Sequence, residues 1–194
     1  MKTKIKFKQT EIGMIPEDWE IDEFVEAIEN FLAKEPFLLK NNLNERTISF
    51  KLAEYLQKEY DGKYTVDCEY NRMPNDDKNM DEDYITKTLH LNIEEIETND
   101  DKGQTVYPDI IIHKRRSNDN NFLAIEIKLE NNKDERRRLN GNWISSKDFD
   151  IEKLKRFTTE LEYEHAIYLE FDKEGISDIK FFQKGEEVVN ETRN

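Results

Sequence analysis

The sequence predicts an α/β domain in which a central mixed β-sheet is flanked by helices, with its elements in the order α-β-β-β-α-β. Three observations carry that prediction. Three polar segments show apolar stripes at helical spacing, several short apolar runs are bounded by turn residues, and one acidic stretch separates the first strand from the next. The 194 residues suit a single domain with an added N-terminal element, 1–40 forming a lead-in with one helix and 41–194 the main domain.

KQTEIGMIPEDWEI leads into a helical pattern with Phe24, Ile28, Phe31 and Leu32 on one stripe, and Glu35-Pro36 ends it. In NERTISFKLAEYLQKEY, Ile48, Leu52, Tyr55 and Leu56 form a second stripe behind Asn44, a candidate N-cap. Glu45 then projects from the first turn on the core-facing side. YTVDCEY reads as a strand, and an acidic insertion follows over about 73–104, where TLHLNIEEI is a possible short strand or helix. Two apolar runs come next in YPDIIIHKRRSNDNNFLAIEIKL. A polar, basic segment, ENNKDERRRLNGNW, leads to a third helix in FDIEKLKRFTTELE, striped by Ile151, Leu154, Phe157 and Leu161. HAIYLEFD and IKFFQKG read as closing strands around the turn material GIS. No internal repeat is present.

Formal net charge is -14, with 36% hydrophobic and 38% charged residues, which argues against a broadly basic nucleic-acid binder. The acid is unevenly spread. Ten acids face three lysines between Met73 and Gln104, so about half of the net charge sits in one stretch and the remainder can still present basic surface. Cys68 is the only cysteine, which excludes an intrachain disulfide and a multi-cysteine zinc site. MKTKIKFK is basic like the start of a signal peptide, but KQTEIG follows where an apolar run is needed, and no run approaches a membrane span. The expectation is a cytoplasmic protein.

Two acids sit awkwardly in the apolar runs. Alternation along a strand places Asp109, Ile111 and His113 on one face, and Phe122, Ala124, Glu126 and Lys128 on one face of the next run. The other face, Ile110 and Ile112 with Leu123, Ile125, Ile127 and Leu129, is core. A symmetric antiparallel hairpin through KRRSNDNN sets Asp109 opposite Glu126. Opposed carboxylates repel, and a divalent cation between them reverses the sign. Hard oxygen ligands completed by water suit Mg2+, with Mn2+ as a substitute. Lys128 on the same face could orient or deprotonate an attacking water, or stabilise charge developing on a phosphate.

Pro108-Asp109 and Glu126-Ile127-Lys128, preceded by a helix carrying Glu45 and followed by a helix and strand, resemble the PD-(D/E)xK nuclease superfamily. The resemblance covers Asn41 to Phe182 in order of elements and about five residues in motif identity. It implies a restriction-endonuclease-like core and metal-dependent hydrolysis of DNA phosphodiester bonds. By the same resemblance Asp109, Glu126 and the Ile127 backbone carbonyl are metal ligands, Lys128 acts on the nucleophilic water, and Glu45 holds a second metal or a water. The acidic insertion departs from the minimal pattern. Separately, Lys8 to Ile21 resembles the opening of specificity subunits in type I restriction-modification systems, which implies a restriction or phage-defence setting and carries over no catalytic residue. The partners implied are DNA, other subunits of such a complex, and a second copy of the chain, because two strands need two cuts.

Other readings stand beside these. The fold can lose activity and serve as a binding scaffold, so a catalytically inactive interaction module or DNA-mimic subunit is the alternative. Glu45 suits equally the role of a first-turn acid complementing the helix dipole. Lys114, Arg115 and Arg116 in the hairpin turn, Arg136, Arg137 and Arg138 beyond it, and Lys155 and Arg156 on the third helix are candidate nucleic-acid contacts, or solvated cations paired with nearby acids. His90, His113 and His165 show no metal-ligand spacing, and Trp19 and Trp143 are expected as packing anchors.

Overall fold

The computed structural model describes residues 2–41, 43–74, 84–89, 104–105, 107–117, 120–130, 136–139 and 142–191. The N-terminal segment forms three short strands, β1 (Lys2–Ile5), β2 (Phe7–Thr10) and β3 (Gly13–Pro16), before α1 (Asp22–Lys34), α2 (Pro36–Lys40) and α3 (Glu45–Glu59). β4 (Thr65–Cys68) follows, then β5 (Arg72–Pro74), β6 (Tyr84–Thr86), β7 (Thr88–Leu89) and β8 (Gln104–Thr105) within and around the acidic insertion. β9 (Ile110–His113) and β10 (Asn121–Leu129) are the two apolar runs. β11 (Arg136–Leu139) and β12 (Asn142–Ser145) lead into α4 (Ser146–Glu160), and β13 (His165–Phe171), β14 (Ile176–Gln183) and β15 (Glu186–Asn190) close the chain. His90 and most of the acidic insertion lie outside the described residues, as does the side chain of Arg138.

Seven strands form one mixed sheet in the order β1-β15-β14-β13-β10-β9-β4. β10 and β13 are parallel, joined by a crossover through α4, and β1 runs parallel to β15 at the far edge. The remaining pairs are antiparallel. The expected mixed sheet flanked by helices is therefore present. Among the described residues no helix is long and apolar enough to cross a membrane.

Helix boundaries follow local chemistry. Asn44 caps α3 by accepting from the Thr47 N–H at 2.8 Å, and Ser145 caps α4 by accepting from the Asp148 N–H at 3.0 Å. Such caps satisfy amide groups that the first turn leaves open, each worth about 1 kcal/mol. α1 ends at Glu35, where Pro36 cannot continue the hydrogen-bond ladder and instead opens α2 at its first position.

Both faces of the sheet are covered. Ile110, Ile112, Leu123, Ile125, Ile127 and Leu129 pack with α1 and α3, while Ile111, Ala124, Ala166 and Tyr168 pack with Leu154 and Phe157 of α4. The face expected to hold only the polar cluster is thus a second core along most of its length. Phe122 corrects the alternation argument. The register shifts between Asn121 and Leu123, and Phe122 turns to the α1 and α3 side, stacked on Tyr64 at 4.9 Å.

Two further segments differ from expectation. KQTEIGMIPEDW contains the β2–β3 hairpin, and the basic segment after β10 contains the β11–β12 hairpin. Neither shows a long alternating pattern, because each strand is only four residues long. Trp19 is buried, stacked on His165 at 4.0 Å, and is the expected anchor, whereas Trp143 is 58% exposed and anchors nothing.

Candidate functional site

The site is built where three chain ends meet: the C-terminal end of β10, the start of β9 and the N-terminus of α3. β9 begins at Ile110, which pairs with Ile125, so the register continued by one residue sets Asp109 opposite Glu126. Beyond that point this edge of β10 has no strand partner among the described residues. Its amides still need acceptors. Asp109 Oδ2 accepts from the Ile127 N–H at 2.7 Å, and Glu45 Oε1 accepts from the Leu129 N–H at 3.1 Å. In an extended strand the carbonyl of a residue points to the same side as its N–H, so the Ile127 carbonyl lies on this open edge too.

Lys128 lies between two carboxylates, 3.5 Å from Glu45 Oε1 and 3.6 Å from Asp150 Oδ2. Lys153, one turn along α4 from Asp150, reaches Glu126 Oε2 at 2.8 Å and Asp150 Oδ1 at 3.8 Å. Four acids and two lysines therefore form one network. The structure brings together Glu45, Asp109, Glu126, Ile127 and Lys128, all singled out from the sequence. It adds Asp150 and Lys153, which were missed. Their signal was available: in FDIEKLKRF, positions 150 and 153 share the helix face of Leu154 and Phe157, where a buried acid and lysine need partners.

Burial sets the electrostatics. It pushes Asp109 up to about 6, against the pull of the Ile127 N–H and the Lys153 charge. It pushes Glu126 well above the ordinary carboxylate range, only partly offset by Lys153, while the neighbouring Asp109 and Asp150 push the same way. Burial would lower Lys153, but Glu126 and Asp150 hold it above its usual value. Glu126 is 4% exposed, and its Oε1 finds no hydrogen-bond partner among the described residues. A buried carboxylate oxygen without a donor is costly unless protonated or bound to a cation.

These groups fit a hard divalent cation in part. Glu126 offers an unpartnered oxygen, Asp109 faces it across the strands, and the Ile127 carbonyl is at the same edge. Among the described residues no three His, Cys, Asp or Glu side chains are gathered as a complete ligand set. Mg2+ needs less, because it usually keeps several waters and takes one or two carboxylates together with substrate phosphate oxygens.

The basic residues singled out from the sequence do not gather here. His113, at the far end of β9, and Arg115 beyond it both bind Asp67 on β4. Lys114 lies over the Tyr64 ring at 5.7 Å, and Arg116 is exposed with a φ of 66°. Arg136 and Arg137 are exposed on β11, where the Arg137 guanidinium lies 5.1 Å from the Phe149 ring centre. Lys155 pairs with Glu152, and Arg156 with Glu160 at 2.6 Å, along α4. Comparison with protein-family models, curated proteins and solved structures returns no match.

Proposed function

We propose that the acidic cluster is the catalytic centre of a metal-dependent endonuclease that hydrolyses DNA phosphodiester bonds, carried on a restriction-endonuclease-like core in a restriction or phage-defence setting. One observation supports this reading most. Asp109 and Glu126 are set opposite each other at an open strand edge, both raised by burial, with a buried carboxylate oxygen left unpartnered beside Lys128. A protein gains nothing in stability from this arrangement, and a divalent cation reverses its cost.

When bound, Mg2+ or Mn2+ supplies Lewis acidity at the phosphoryl group. The residues that would hold it are Asp109, Glu126 and the Ile127 carbonyl. Lys128 presents its ammonium on the same side, where it donates to oxygen that becomes more negative during attack or holds the attacking water. Glu45 and Asp150 position Lys128 from either side. Glu45, committed to Lys128 and the Leu129 N–H, acts in this reading as a positioning group more than as a ligand for a second ion. Lys153 partly offsets the cost of ionising Glu126 when no cation is present.

Plasmid cleavage tests the reading. The wild type should cut with Mg2+ or Mn2+ and stop on chelation, and Asp109→Asn, Glu126→Gln and Lys128→Met should each lose at least about 100-fold. No cleavage by the wild type with either ion, or full cleavage by Lys128→Met, overturns it. The Lys153–Glu126 pair favours a second reading, a silent scaffold in which lysines neutralise the acids. That reading requires that Mg2+ leave the melting temperature unchanged.

A further inference from the structure

We propose that a second, basic pocket at the opposite end of β9 and β10 binds a phosphate group, with Lys87, Arg72, Lys114 and Arg116 as its cations. The pocket is lined by these four with Tyr70, His113 and Asn121 among others, and no carboxylate lines it among the described residues. His113 pairs with Asn121 at the end of the β9–β10 ladder, and His113 shares its sheet face with Asp109. The acidic cluster and this pocket are therefore separated by about five residues of β10, roughly 17 Å.

Lys87 is the central observation. It is 1% exposed, donates to the Tyr163 hydroxyl at 2.5 Å, and lies 5.0 Å and 5.6 Å from the ring centres of Tyr163 and Tyr70. No carboxylate lies within ion-pair distance of it among the described residues. Asp67, the acid whose field it feels, is committed to His113 and Arg115. An ammonium has three donors, and aromatic faces satisfy it only weakly compared with an anion. Two of the other three cations of the pocket also touch neutral groups. Arg72 donates to Thr86 Oγ1 at 3.2 Å, and Lys114 lies over Tyr64.

Several cations elsewhere do the reverse. Lys51, Lys63, Lys147, Lys153, Lys155 and Arg156 are each on a carboxylate, as 44 acids against 30 basic residues lead one to expect. A buried lysine and three exposed cations with no acid partner among the described residues, around one cavity, call for an anion from outside. Burial draws Lys87 down to about 8, which leaves it mostly charged at neutral pH and poised for such a partner. The closed part of the cavity has room for about one water-sized group, about 10 Å³, so an oxygen of a tetrahedral anion enters while a base or sugar stays outside. Arginine and lysine converging on that mouth match phosphate chemistry. The same group is offered by a nucleic-acid strand or by free phosphate.

The pocket is independent of hydrolysis, so calorimetry without divalent cations tests it. The probes are inorganic phosphate, a single-stranded oligonucleotide with a 5′ phosphate, and the same oligonucleotide without it. The wild type should bind at least one, and Lys87→Met should weaken that binding at least tenfold. Lys34→Met, which removes a lysine held over Tyr55 far from the pocket, should leave it unchanged. Should Lys87→Met fail to fold, Arg72→Gln and Arg116→Gln carry the test, each expected to lose at least threefold. Binding confined to the phosphorylated strand assigns a terminal phosphate. Binding of both strands assigns internal phosphates, and binding of inorganic phosphate alone assigns the free ion. No binding of any probe, or equal binding by the variants, overturns the proposal.

Discussion

Asp109, at one end of the β9–β10 ladder, and Asp67, beside that ladder on β4, are aspartates that burial treats alike and neighbours treat differently. Burial acts to raise both. At Asp67 it is overcome by His113 and Arg115, which donate to the carboxylate and hold it at about 2. At Asp109 one backbone N–H and a lysine charge do not suffice, and the group stands at about 6. The lesson is that charge near a group matters less than donors directly on it. Asp67 is a structural acid whose demands are met. Asp109 and Glu126 are left short of donors, as a site awaiting a cation would be.

The comparison breaks most visibly at Lys153. Lys153→Met leaves Glu126 and Asp150 buried without their cation and should cost about 3–5 kcal/mol in urea unfolding at pH 8. The folded state favours protonated Glu126, so the loss should shrink as pH falls, and adding Glu126→Gln should recover most of it. An undiminished loss in the double variant would show that Lys153 acts by packing alone.

Asp109 gives the next effect. Its folded pKa is raised, so its contribution to stability is fully present below the ordinary carboxylate range and lost as pH rises through about 6. Asp109→Asn should remove about 3 kcal/mol of that pH dependence. Mg2+ at pH 8 should raise the melting temperature of the wild type and not of this variant. An equal rise in both would place the ion elsewhere.

Asp67 carries the opposite sign. Its stabilisation is present above the unfolded carboxylate pKa and lost as pH falls through about 2. Arg115 is 56% exposed at its side chain, which weakens the pair through solvent screening, so Asp67→Asn should cost about 1–2 kcal/mol at pH 7. Asp67→Asn should show no Mg2+ dependence beyond that of the wild type.

The smallest effect belongs to the cations on α4. Arg156→Ala breaks a helix-face pair with Glu160 and should cost only a few tenths of a kcal/mol, shrinking further in high salt. A larger loss of DNA binding than of stability would give Arg156 the contact role open to it in the sequence.

Much of the site was legible because strand alternation is a strong local constraint. Asp109, Glu126 and Lys128 share a face once two runs are read as a hairpin, and Glu45 follows from the Asn44 cap and the stripe of α3. Phe122 escaped because a bulge is not visible in alternation. Asp150 and Lys153 escaped because their helix was read for apolar positions only. The β2–β3 and β11–β12 hairpins escaped because strands of four residues are too short to show a period.

The sequence by itself determined the mixed helix and strand content, the end of α1 and the start of α3, and the placing of Glu126 and Lys128 on one strand face opposite Asp109, since these rest on spacing and local hydrogen bonding. Only the tertiary structure decided that α4 lays Lys153 onto Glu126, that β1 joins the sheet beside β15, and that Lys87, from within the most acidic stretch, is buried against Tyr163. Those contacts join residues far apart along the chain. Their distances are set by how layers pack and by where burial removes water, and neither quantity is written in any local run of residues.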